Sequence, residues 1–140
     1  MSFAWTFPAG RLVIKTVSST AGDVTTNLSP GSGKRWLLLY GRFSLSTGST
    51  AGSRYLNFFI TDGTNLIHRI GISGSIDADS SLNISLRQNI DFQGGAGGGE
   101  NQIAFGDIIL EGSQQFRITV TGGLAEDSYS GYLVVLEVDV

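Results

Sequence analysis

The residue types that could do chemistry in this chain are few, and each can be weighed by its spacing. The stretch Gly31-Ser32-Gly33-Lys34 sets a lysine behind two glycines, as in loops whose backbone N–H groups hold phosphate. Such a loop needs Gly-x4-Gly-Lys-Ser/Thr between a strand and a helix, so that amides and the helix N-terminus converge on the anion. Counting back from Gly33-Lys34, the first glycine position holds Leu28, and Arg35 stands where Ser or Thr is required. The run that follows, Trp36-Leu37-Leu38-Leu39-Tyr40, reads as a strand. A turn delivering Trp36 into that strand is the reading left.

The other candidates are thinner. His68 is the sole histidine, so a multi-imidazole metal site is ruled out, and no nucleophile stands near it to form a triad. It reads as a partly buried strand residue. Asp77 and Asp79 have the i, i+2 spacing of some calcium loops, but the glycine and distal glutamate of an EF-hand are missing. Asp62 or Glu100 would have to complete any calcium shell, and a solvated turn is the simpler expectation. Paired carboxylates for glycoside hydrolysis would have to come from Asp107, Glu111, Glu126 and Asp127, all beside expected turns. Sugar binding through an exposed aromatic platform is the better carbohydrate reading. Trp36 lies in an apolar run and is expected in the core, whereas Trp5 and Tyr55 stay open. The Asn27-Leu28-Ser29 and Asn83-Ile84-Ser85 triplets match the glycosylation sequon but have no signal peptide to give them meaning. No catalytic constellation emerges, and the expectation is a protein that is not an enzyme and uses no cofactor or metal.

The elements that would carry these residues follow a period of two. Strands are predicted near 11–17, 35–46, 54–61, 66–72, 82–90, 102–110, 115–121 and 131–139. Leu82, Ile84 and Leu86 alternate with Asn83, Ser85 and Arg87, which predicts one wet face; Phe116, Ile118 and Val120 alternate likewise. Residues 36–40 are apolar on both faces, which places them mid-sheet or against a subunit. Thr61-Asp62-Gly63-Thr64-Asn65 predicts a hairpin turn, and the Glu-Gly-Ser-Gln run at 111–114 and Thr121-Gly122-Gly123 predict further turns. Residues 74–81 leave room for one short helical turn, and the glycine-rich run 93–102 reads as a mobile loop. Eight short strands with turn-rich links predict an all-β fold: an antiparallel two-sheet β-sandwich, with a jelly roll favoured over an immunoglobulin-like topology.

Composition narrows the class. A chain of 140 residues fits one domain, here 11–140 behind an N-terminal arm or extra strand at 1–10. Charged residues are 15%, below the roughly 25% usual for globular proteins, so Ser, Thr, Asn, Gln and Gly must cover much of the surface. The net charge of −3 and the scattered basic residues argue against nucleic acid as a partner. The absence of cysteine excludes disulfides and thiolate metal sites. No run approaches the roughly 20 apolar residues of a membrane span, so no membrane partner is expected. Within the arm, Phe3, Trp5 and Phe7 alternate with small or polar residues ahead of Pro8-Ala9-Gly10. Large aromatics are costly to leave wet, at about 1.5–3 kcal/mol each. They either complete their own sandwich or dock on a neighbouring subunit or capsid by strand addition.

One pattern spans most of the chain. Pro30-Gly31-Ser32-Gly33-Lys34-Arg35-Trp36-Leu37 leads into a strand, and the strand pair at 52–67 carries Arg54. The step at 109–120 and the acidic turn at Glu126-Asp127 before the last strand complete it. From Leu28 to Val138 this resembles the jelly-roll modules of tailed-bacteriophage virion structural proteins. The resemblance implies a capsid decoration (cement) protein or a small head or tail component, made in the host cytoplasm and located in the virion. It also implies a homo-oligomer, a trimer above all, bound to a capsid or other virion protein. The competing expectation is a carbohydrate-binding β-sandwich module on a fibre or beside an enzyme, with a glycan as ligand.

Overall fold

The computed structural model describes residues 10–19, 24–88 and 100–140, which form ten strands and no helix. In chain order these are β1 (Arg11–Ser19), β2 (Val24–Leu28), β3 (Gly31–Ser46), β4 (Tyr55–Thr61) and β5 (Leu66–Ile72). They continue with β6 (Ser81–Gln88), β7 (Glu100–Phe105), β8 (Ile109–Gly112), β9 (Gln115–Thr121) and β10 (Ser128–Asp139). The count exceeds the eight expected for two reasons. Val24-Thr25-Thr26-Asn27-Leu28 is too polar to announce a strand, yet it pairs with β9 along its full length. The run expected at 102–110 breaks at Gly106 into β7 and β8, which serve different neighbours.

The strands make two sheets. The first has the order β1-β10-β3-β6-β7 with β8 also on β3, and the second has the order β2-β9-β4-β5. β3 is the spine. One edge pairs with β10 from Ser46 to Lys34; the other takes β8 at its first half and β6 at its second. That central position explains the doubly apolar run at Trp36–Tyr40. A register shift against β10 puts Val134 opposite Tyr40 but Val135 opposite Leu38, leaving Leu39 as the extra residue of a bulge. The expected all-antiparallel pairing fails once, because β6 and β7 run parallel. A parallel neighbour needs a long crossover rather than a tight turn, and residues 89–99 separate the two strands.

The layers meet through aromatic rings. Phe43 of β3 lies 5.3 Å from Phe58 of β4 and 6.1 Å from Phe116 of β9, and all three are fully buried. Leu38, Leu45, Leu56, Ile84, Leu86, Leu110, Ile118, Leu133 and Val135 fill the rest. Gly131 has to be glycine, since a Cβ there would stand 2.4 Å from both the Arg42 carbonyl and the Phe43 ring. The wet face expected of β6 is partly wrong: Ser85 is completely buried, because β3 and β7 flank it on both sides.

Turns follow local chemistry where the sequence carried it. Asp62 accepts from the N–H of Thr64 at 2.8 Å and of Asn65 at 2.6 Å, closing the β4–β5 hairpin around a left-handed Gly63. Those same donors hold the Asp62 carboxyl below its ordinary range. Gln114 and Glu111 close the β8–β9 turn through N–H bonds of 3.0 and 2.9 Å. The helical turn expected at 74–81 does not form; Ile76 instead bridges to Arg54, and Asp79 takes a left-handed backbone. Most of the glycine run lies outside the described residues, but Glu100 to Gln102 open β7 instead of continuing a loop.

Candidate subunit-contact face

The residues with apparent chemistry are placed first. Gly31 and Gly33 are left-handed and sit inside the opening of β3, with Gly31 opposite Gly112. Lys34 pairs with Asp139, and Arg35 lies 2.6 Å from Glu111. The glycine-lysine stretch is therefore a strand opening, with both cations spent on neighbouring strands. Trp36 is 1% exposed and donates from Nε1 to Glu137 at 2.8 Å. Arg11 reaches the other Glu137 oxygen at 2.7 Å, and Lys15 lies 5.5 Å from the Trp36 ring. Bonds from Trp36 first, and then from Arg11, hold the Glu137 carboxyl below its ordinary range. Trp36 is core and offers no platform to a sugar ring. Tyr55, at the start of β4, is 37% exposed.

All four carboxylates considered for hydrolysis have structural partners. Glu111 holds Arg35, and Asp107 accepts from Gln88 at 2.7 Å. Glu126 accepts from the Thr50 N–H at 2.6 Å. The fourth, Asp127, forms a pair the sequence did not reveal. It accepts from Arg54 Nε at 3.0 Å and Nη2 at 3.1 Å, with both side chains buried. Burial alone would raise the Asp127 carboxyl. The Arg54 bond and the N–H groups of Gly48 and Leu124 outweigh it and keep the group below its ordinary range. This pair ties the loops on either side of the sandwich end.

His68 is exposed rather than partly buried, because among the described residues β5 is the edge strand of its sheet, paired with β4 alone. With Asp107, Ile60, Ile67, Ile108 and Ile109 it lines an open cavity of about 470 Å³. Asp77 and Asp79 are exposed, and Asp62 is occupied by its own turn. Among the described residues, no three His, Asp or Glu side chains are grouped to hold a metal. Phe3, Trp5 and Phe7 lie outside the described residues.

What the sequence did not single out is a surface. Strand register brings Leu12, Leu136, Leu37 and Ile109 into one row across β1, β10, β3 and β8. The neighbouring row on the same face is Ile14, Val134, Tyr40 and Arg87. Residues one step away along each strand, such as Trp36, Leu110 and Val135, point into the core, so both rows face outward. Leu12 is 68% exposed, Ile14 63% and Ile109 54%, while the residues between them are half-buried. At about 4.8 Å per strand, the first row spans about 14 Å. Tyr40 packs near Tyr132 with ring centres 6.0 Å apart, and Arg87 sits 5.7 Å from the Tyr40 ring. Further along, the face turns polar: Ser18, Ser130, Ser44 and Asn83 share a row, with Ser44 donating to Asn83 at 2.5 Å.

A signal for this face was present in Arg11–Val17. Leu12 and Ile14 alternate with Val13, so that strand is apolar on both sides, like Trp36–Tyr40. β3 is central and covered; β1 is an edge, and its outer residues stay exposed. Scattered single hydrophobics need no explanation, but a contiguous apolar band on a sheet face marks an interaction surface. Comparison with protein-family models, with characterised proteins and with solved structures finds no match to this chain.

Proposed function

We propose that the chain is a non-enzymatic virion structural protein, a capsid decoration protein or small head or tail component, that works by subunit–subunit binding. The observation that carries this reading is the exposed apolar row from Leu12 to Ile109, which runs across four strands of a protein with only 15% charged residues. Covering such residues is worth about 1.5–3 kcal/mol for each large side chain, a driving force that a partner surface of the same character would realise. A closed cyclic oligomer, with a trimer favoured, covers the row without leaving an open-ended contact.

Strand order supports reading the fold as a jelly roll. Rolling up one long antiparallel hairpin pairs first strand with last, second with next-to-last, and so on inward. The pairs β1–β10, β2–β9, β3–β6 and β4–β5 follow that scheme, with β7 and β8 inserted after the sixth strand. The likeness of residues 28–138 to tailed-phage modules is what directs the proposal to a virion. Light scattering on the purified chain and binding to purified source particles test it together. The expected result is a defined oligomer that binds the particle and weakens when Leu12 and Ile109 are both changed to Asp. A monomer at every concentration that binds no capsid or tail assembly would sink the proposal.

A further inference from the structure

The exposed band borders a strand edge. Among the described residues β1 pairs only with β10, so every second residue of β1 presents unpaired N–H and C=O groups along its other edge. Edge strands are normally defended by charges, prolines or bulges. On the outward side of β1 stand Leu12, Ile14, Thr16 and Ser18, none charged. Its two cations, Arg11 and Lys15, belong to the opposite side and are engaged there by Glu137 and the Trp36 ring. The edge is therefore undefended, and its apolar outer side is suited to receiving a strand.

We infer that this edge is completed by the aromatic segment 3–7 of a second copy, laid along β1 with its rings over Leu12 and Ile14. This rests on the assembly reading above and names the segment that occupies the site. Phe3, Trp5 and Phe7 recur at every second position, so an extended backbone turns all three to one side. Their spacing of about 6.7 Å equals that from Leu12 to Ile14, because both are two-residue steps along a strand. The segment carries no charge, so pairing it to β1 buries none. Main-chain bonds supply attachment and the alternate side chains supply selectivity, as in other strand additions.

Backbone geometry favours a second copy over the chain's own segment. To return along its own β1 through a two-residue turn, the chain needs a positive φ at Pro8, whose ring fixes φ near −65°. A three-residue loop needs Gly10 left-handed, and it is not. These two tight returns are closed to the chain, which favours the edge of a neighbour as the partner of the segment.

The absence of cysteine makes a single-label test possible. A Ser2→Cys chain carrying a nitroxide is mixed with an untagged, nitrogen-15-labelled chain, and native mass spectrometry establishes that mixed oligomers have formed. Amide signals of Arg11 to Ile14 in the labelled chain are expected to lose most of their intensity and to recover when the nitroxide is reduced. They are expected to stay intact when the tagged chain also carries Phe3→Ser, Trp5→Ser and Phe7→Ser. Broadening of other surfaces instead, or of β1 only when tag and isotope share one chain, overturns the inference. An oligomer that persists with β1 signals unaffected removes this placement and leaves the assembly reading standing. A chain that is monomeric and binds no particle removes both.

Discussion

Two adjacent rows of the first sheet use the same four strands and come to opposite ends. Glu137, Trp36 and Leu110 are buried in the sandwich, with Arg11 at the exposed end of their row; Leu12, Leu136, Leu37 and Ile109, each one residue away, point out. The inner row buries an indole and gives its N–H a carboxylate, and that carboxylate an arginine. The outer row is apolar from end to end and has no such closure. In a pleated sheet one residue decides the face, so the inner row contributes to stability and the outer row is free to contribute to binding. Composition alone does not separate them, because both contain large apolar side chains.

Substitutions should separate the two rows by what they damage. Arg54→Ala leaves Asp127 buried and uncompensated, and a loss of about 3–5 kcal/mol is expected in chemical denaturation. Trp36→Ala should cost about the same, about 3–5 kcal/mol, by opening a cavity and leaving Glu137 with Arg11 alone. A near-neutral Trp36 variant would mean the inner row is not the sealed one. Glu137→Gln keeps the shape but loses the charge that Arg11 and the indole address, and should cost about 1.5–3 kcal/mol. On the outer row, Leu12→Asp and Ile14→Asp should change monomer stability by no more than about 0.5 kcal/mol, while lowering the oligomer mass in light scattering. A large loss of stability at Leu12 would make the outer row part of the fold and erase the contrast.

Acid should act on the buried carboxylates and on the Asp62 turn rather than on the outer row, which carries no carboxylate. Asp127 and Glu137 are held below their ordinary carboxyl ranges in the folded protein. The unfolded chain therefore binds protons first, and the stabilisation from both groups is complete above their unfolded values, near 4. It is lost as pH falls through the lower folded values. Melting temperature should drop as pH falls below about 4, and Asp127→Asn with Glu137→Gln should flatten that dependence. An unchanged slope in the double variant would mean that other carboxylates govern acid stability.

Local chemistry was legible where neighbours in sequence settle the outcome. The Asp62-Gly63 hairpin, the buried Trp36, the alternation in β9 and the class of an all-β two-sheet protein are all written in adjacent residues. Features settled by distant partners were not legible. β2 is a strand because β9 offers it an edge, and Ser85 is buried because β7 lies beside it. Arg54 meets Asp127 across 73 positions, and neither residue's neighbours announce the other. His68 was misjudged for the same reason: its strand looks ordinary, and only its place at the edge exposes it.

By itself, the sequence determined the period-two pattern, the failure of the glycine-lysine stretch as a phosphate loop, and the class of an all-β two-sheet protein. The tertiary structure decided which apolar residues are core and which are surface. Leu12 and Trp36 are equally hydrophobic in intent, and only strand order and register put one beneath a second sheet and the other in solvent. Burial depends on which strand lies opposite, and that is fixed by contacts far apart along the chain.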